Sequence, residues 1–193
     1  MLDAIVNIAG IHKMASLVES DYESLKKLID INLLGTMLVN NIFHSLLVKK
    51  GRIVITSSEV ATLDPMPFNG LYSVSKAALD CYSQALRQEL NLLNQYVITI
   101  RPGAIETPLS LNSLVDTEKL ACETKLFEKQ AKNFLALTKK FMGKPIKVAK
   151  IIYKAVDKKK VRLFYKTKRN PGLVLLNILP KRLQCFIIRA LLK

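Results

Sequence analysis

Gly51-Arg52-Ile53-Val54-Ile55-Thr56-Ser57-Ser58 is a short β-branched run that ends in hydroxyls, and such a run reads as a strand buried on both faces. Leu71-Tyr72-Ser73-Val74-Ser75-Lys76-Ala77-Ala78-Leu79 follows and opens a helical pattern over about residues 70–93. Tyr96-Val97-Ile98-Thr99-Ile100 is a second β-branched run, and Arg101-Pro102-Gly103 ends it sharply. Strand, helix and strand in that order make the unit from which parallel sheets are built. The spacing predicts an α/β protein.

The helix puts Tyr72 and Lys76, four positions apart, on one face. A phenol ordinarily ionises near pH ~10, too high for proton transfer at neutral pH. An ammonium beside it favours the phenolate and moves that value toward the working range. A serine from the strand end then hydrogen-bonds the oxygen that the tyrosine protonates or deprotonates. This is proton chemistry on an alcohol or a carbonyl. A lone Tyr-x-x-x-Lys also suits a solvated helix face, so the flanking strands and hydroxyls carry the reading.

Outward from this centre, residues 3–8 read as a strand. Residues 20–48 read as one or two helices, with Glu19-Ser20-Asp21 as cap material. Residues 104–143 form a mostly helical excursion of mixed polarity, 145–159 an amphipathic helix, 161–165 a short strand, and 171–193 an apolar terminal segment. At 193 residues and 50% hydrophobic, the chain buries a sizeable core as one domain. Cys81, Cys122 and Cys185 are scattered and odd in number. They suggest neither a disulfide framework nor a metal site, and read as buried thiols of a reducing, cytoplasmic compartment. His12 and His44 are too few for a histidine metal centre. Met1 leads straight into a strand, so no signal peptide is expected.

Four stretches occur in a telling order: Val6-Asn7-Ile8-Ala9-Gly10, Asn32 within Asp30-Ile31-Asn32-Leu33-Leu34-Gly35, the set Ser58, Tyr72 and Lys76, and Arg101-Pro102-Gly103-Ala104-Ile105-Glu106-Thr107. Together they resemble the motifs of the short-chain dehydrogenase/reductase family, whose members pass hydride between NAD or NADP and an alcohol or carbonyl. The resemblance is close from residue 1 to about 110 and loose beyond. It implies a partial Rossmann-like, doubly wound parallel sheet made of the family's strands 4–7 with flanking helices. It also implies Asn32, Ser58, Tyr72 and Lys76 as the catalytic set. Tyr72 would be the general acid and base, Lys76 would also bond the nicotinamide ribose, and Asn32 would hold a water that relays protons from the lysine.

The cofactor contacts carried over by resemblance are further ones. Asn7 braces strands through side-chain to backbone bonds, while Ala9 and Gly10 let the adenosine ribose approach closely. The Pro102-Gly103 turn passes under the nicotinamide, with Ile105 giving a backbone contact and Thr107 a hydroxyl; Thr107-Pro108 also fits a plain helix start. Two departures stand out. Ile8 replaces a second asparagine, and Ser58 lies fourteen positions before Tyr72, one more than the commonest family spacing. Ser57 is therefore the fallback for Ser58.

The family's glycine-rich turn, Thr-Gly-x-x-x-Gly-x-Gly, which seats the pyrophosphate at a helix N-terminus, does not occur in the sequence. The chain is expected to correspond to the C-terminal two-thirds of such an enzyme, with an open edge at its first strand and low stability. The choice of NAD or NADP is not legible. The resemblance implies a small alcohol or ketone substrate and assembly of like subunits through the Tyr72 helix. A non-catalytic remnant that interacts with a relative or another subunit is the alternative.

Charge adds a separate signal. Residues 139–193 hold 17 Lys and Arg against the single acid Asp157, while the first 138 hold 13 bases and 14 acids. The whole excess of +15 therefore belongs to the tail and points to a local anionic partner. Residues 172–193 are strongly apolar but interrupted by Pro180-Lys181-Arg182, which argues against a membrane-spanning helix. Two readings stay open: a helix from about Pro180 lying in a membrane interface, which would suit lipid-like substrates, and packing against the substrate site or a subunit. Nucleic acid fits poorly, since the tail has no binding motif and few interleaved aromatics.

Overall fold

The structure is a computed structural model describing residues 1–138 and 142–193. Residues 139–141, at the end of the predicted 104–143 excursion, lie outside the described residues.

Four parallel strands stand in the order β1 (Leu2–Asn7), β2 (Leu47–Thr56), β3 (Tyr96–Pro102) and β4 (Phe164–Thr167). The registers Val6 with Val54, Val54 with Ile98 and Ile100 with Tyr165 tie them together. β2 starts earlier than residue 51 because a bulge opposite Leu2–Ala4, with Lys50 at φ 64, absorbs the extra residues. β4 lies a few residues later than predicted, since its pairing partner is the Arg101-Pro102 end of β3.

The two faces of the sheet are dressed differently, as alternation along a strand requires. On one face Ile5, Ile53, Ile55 and Val97 pack against Leu79 and Leu90 of α3 (Gly70–Leu92). The segment α1 (Tyr22–Ile29) and α2 (Gly35–Phe43) lies on the same side and adds Leu33. On the other face Val54, Ile98 and Ile100 meet Ala155, Ile151 and Ile152 of α6 (Pro145–Asp157). Arg52 fastens α6 by donating to the carbonyls of Ala155 at 2.8 Å and Lys158 at 2.6 Å, and also to Val156.

A second cluster forms where α4 (Pro108–Glu123), α5 (Glu128–Thr138) and α8 (Lys181–Leu192) meet the loops before and after the first helices. Met14, Phe68, Ala121, Ala131, Phe134 and Leu192 fill it. α7 (Pro171–Ile178) leads into α8 through Leu179-Pro180. One expectation is corrected. Cys81, Cys122 and Cys185 are all exposed, because each falls on the outer side of its amphipathic helix.

Candidate functional site

Buried residues of α3 recur along one stripe: Lys76, Leu79, Ser83, Arg87 and Leu90. That 3.6-residue rhythm turns Lys76 inward beneath the strand ends. Lys76 is 4% exposed, and its ammonium donates to the Thr56 carbonyl at 3.1 Å. It lies 5.7 Å from the centre of the Tyr72 ring one turn earlier. With so little water round it, the Lys76 pKa is pushed down to about 8 by burial.

Tyr72 behaves in the opposite sense. Part of its surface is accessible, yet protein crowds it so closely that burial pushes the phenol up to about 12, with a Ser58 hydrogen bond working against that rise. The expected lowering by the Lys76 ammonium is corrected here. The ammonium is turned to the Thr56 carbonyl, and burial governs the phenol.

The two strand-end serines separate cleanly. Ser57 is spent on structure, its amide bonding Ile100 O at 2.8 Å and its hydroxyl Lys76 O at 3.3 Å. Ser58 opens a short 3-10 turn over Glu59–Thr62 and faces Tyr72. The next residue, Glu59, is buried and accepts from the Asn170 amide at 2.8 Å, which ties this turn to the start of α7. Burial raises the Glu59 carboxyl.

Asn32, fully buried, sits in a π-helical turn over Asp30–Leu34 between α1 and α2. Such one-residue bulges are found often at functional sites. Its side chain accepts from the Ile11 amide at 2.8 Å and donates to Ile11 O at 2.9 Å and to Ser75 Oγ at 3.0 Å. Ser75 in turn donates to Tyr72 O at 2.8 Å. Asn32 thus couples the loop after β1 to the Tyr72 turn. A Cβ added to Gly10 would lie 3.1 Å from Asn32 Oδ1 and 3.6 Å from the Lys76 ammonium. Glycine there lets the loop after β1 pack closely against Asn32 and Lys76.

Two neighbours escaped the sequence reading. Ser75 supplies the Asn32 link, and only its place before Lys76 hints at it. His12 stacks edge-on against Tyr72, ring centres 4.1 Å apart, and bonds Asn69 at the start of α3 at 2.8 Å. Burial lowers its pKa, and its Nδ1 has no hydrogen-bond partner among the described residues. No local pattern marks a single histidine in a loop.

The remaining predicted contacts are placed as follows. Asn7 donates to the Asn40 side chain on α2 at 2.8 Å, a helix brace rather than the expected strand brace. Ala9 is exposed beside Gly10. Pro102 pairs with Thr167, and Gly103 is packed so tightly that a Cβ would come within 1.9 Å of Lys168 O. Its glycine thus serves the β3–β4 junction. Ile105 is buried, and its carbonyl accepts from Ser110 at 2.6 Å and Thr107 at 3.3 Å. Thr107 caps α4 by accepting from the Ser110 amide. Its hydroxyl has the local role of a helix start, and Pro108 follows at the first position.

Comparison with known proteins fits this geometry. The sequence model of the family described as short chain dehydrogenase matches residues 1–118. The NADPH-dependent 1-acyldihydroxyacetone phosphate reductase of Schizosaccharomyces pombe is 36% identical over 114 residues, 58% of this chain and 38% of that protein. An uncharacterized oxidoreductase of Staphylococcus saprophyticus is 33% identical over 110 residues, 56% of this chain and 47% of that protein. The chain therefore spans less than half the length of these relatives. Among solved structures, a short chain dehydrogenase from Burkholderia cenocepacia in complex with NADP is 26% identical with a TM-score of 0.66, over 86% of this chain and 63% of that one. A short chain dehydrogenase family protein from Francisella tularensis shares the fold at 22% identity and a TM-score of 0.68, over 85% and 68% of the two chains.

Proposed function

The chain belongs to the short-chain dehydrogenase family, and from that premise we propose that its site serves an NAD(P)-dependent oxidoreductase acting on a small alcohol or ketone. The observation that carries the proposal is the convergence of Ser58, Tyr72 and Lys76 at one strand end, with Asn32 and Gly10 beside them.

In the reducing direction Tyr72 gives its phenolic proton to the carbonyl oxygen. Ser58 donates to that oxygen and steadies the charge that develops on it. Lys76 holds a positive charge near the resulting phenolate, and Asn32 keeps the Tyr72 turn and the Gly10 loop in place. The reverse steps oxidise an alcohol. A phenol pushed up to about 12 is a proton donor at neutral pH, so this chain's residues suit carbonyl reduction there.

The residues fit the nicotinamide end of the cofactor. Lys76, with Tyr72 beside it, would bond the hydroxyls of the nicotinamide ribose, and Ala9 and Gly10 would border the adenosine ribose. Ile105 and Thr107 would face the carboxamide, and Pro102, Gly103, Asn7 and Ala9 frame the same end of the sheet. Bound NADH or NADPH supplies the hydride. The S. pombe relative is by name NADPH-dependent and reduces a ketone carrying an acyl chain; an alcohol or ketone with an apolar tail is the substrate class this suggests.

Titration of the purified chain with NADH and NADPH, followed by fluorescence, tests the reading. Binding is expected, with turnover of a test ketone falling about a thousandfold in Tyr72→Phe. Folded protein that binds neither nucleotide would reject activity of this chain by itself in favour of a fragment or a non-catalytic remnant of such an enzyme.

A further inference from the structure

Residues 158–193 contain eleven Lys and Arg and no acid. α8 shows how part of that charge is displayed. Its inward stripe is seated: Ile188 and Leu192 join the cluster around Phe134, Asn133 donates to Leu192 O at 3.3 Å, and the buried Gln184 donates to Leu179 O at 2.8 Å. At 3.6 residues per turn this seating leaves Arg182, Phe186, Arg189 and Lys193 on the opposite side. Phe186 is 69% exposed. The helix before it, α7, exposes Leu175 and Ile178, three positions apart, at 64% and 75%.

Large apolar side chains this exposed, interleaved with cations, mark an interaction surface. The ion pairs among the described residues do not include Arg182, Arg189 or Lys193. Neither helix is long enough to cross a bilayer, and no helix among the described residues is long and apolar enough to do so. Both lengths suit helices that lie in the headgroup layer, apolar tips downward and long cationic stems reaching the phosphates.

We propose that α7 and α8 form a docking surface for an anionic lipid bilayer. Charge decides the occupant. A second copy would bring one strongly cationic tail against another, and a nucleic acid backbone would leave Leu175, Ile178 and Phe186 in water. The bilayer alone matches both the cations and the apolar tips. Through Glu59 and Asn170 the surface begins next to the Ser58 turn, which places the candidate site close to the lipid.

Co-sedimentation of the full chain with vesicles tests this without reference to turnover, so its outcome is independent of the enzymatic reading. The chain is expected to pellet with mixed phosphatidylcholine and phosphatidylserine and to stay in solution with phosphatidylcholine alone. Leu175→Ser/Ile178→Ser/Phe186→Ser and Arg182→Gln/Arg189→Gln/Lys193→Gln should each weaken binding at least about tenfold. Lys147→Gln/Lys150→Gln/Lys154→Gln on α6 should weaken it much less. Circular dichroism confirms that each variant is folded. Absence of pelleting by the unaltered chain overturns the proposal, as does an α6 variant that loses as much as the α8 variant. Tight binding to naked duplex DNA that survives the apolar triple change overturns it in favour of a polyanion, and a dimer lost with the same change, without vesicle binding, in favour of a second copy.

Discussion

Lys76 and Tyr72 are perturbed in opposite directions by one cause, removal of water, because each pKa moves toward its uncharged form. For Lys76 the consequence is measurable. Its folded pKa of about 8 lies below its ordinary 10.5. Between the two values the unfolded chain binds one more proton, so stability rises with pH across that window. Below it the charged lysine imposes its full destabilisation. Urea midpoints of the native chain minus those of Lys76→Met should therefore climb from about pH 8 to about pH 10, and be flat below. For Tyr72 the sign concerns rate: alcohol oxidation needs the phenolate, and should rise about tenfold per pH unit from about pH 6 to pH 8, where Lys76 still carries its charge, and less steeply above, read from initial rates. His12→Phe preserves a ring against Tyr72 but removes the Asn69 bond, and should cost about 1 kcal/mol in urea unfolding. At this scale Tyr72, Lys76 and Ser58 were legible because spacing and a strand end announce them. The direction of the Tyr72 shift was not, since burial is a property of everything that surrounds a residue. Nor was His12, which its loop alone does not distinguish.

Elements were legible where a period of 2 or 3.6 runs long enough, as in β2, β3 and α3. The π turn at Asp30–Leu34 was not, because one extra residue within a helix leaves no trace in so short a pattern. β4 was displaced by a few residues for a related reason: partners, not its own sequence, set its ends. Those partners form a clasp between α3 and the sheet. Arg101 gives Asp80 two bonds, of 2.8 and 2.6 Å. Arg87 bonds Val97 O at 2.9 Å and Thr99 Oγ1 at 2.7 Å. Both guanidinium groups lie 4.4 Å from the centre of the Phe164 ring. Asp80→Ala should cost about 3 kcal/mol by leaving Arg101 without its counter-charge in a largely enclosed place, and Asp80→Ala/Arg101→Met should recover part of it. A loss in the double variant equal to the sum of the losses in the two single variants would show that the pair does not act as a unit. In the second cluster, Phe68 touches the rings of Phe127 and Phe134 at 5.7 and 5.6 Å, and Phe68→Ala should cost about 3 kcal/mol by the same measurement.

Strand–helix–strand units made a parallel sheet legible, and the order of its strands is the one implied by the family resemblance that the ordered motifs carry. What did not follow is the outward placement of the three cysteines, which depends on how each helix is rotated in the assembled fold. β1 stands at the edge, with Val6 39% and Ile8 58% exposed. An edge of that kind invites pairing with other chains, so Ile8→Lys should slow the growth of light scattering in concentrated solution. Arg52 also has a consequence in time. Its guanidinium, on a strand near the start of the chain, is satisfied by carbonyls 103, 104 and 106 residues later. At ~5–20 residues per second of synthesis, the strand waits roughly 5 to 20 s on the ribosome before its partner exists. Until then the sheet has one bare face, and for that interval a newborn chain is most exposed to the wrong companion.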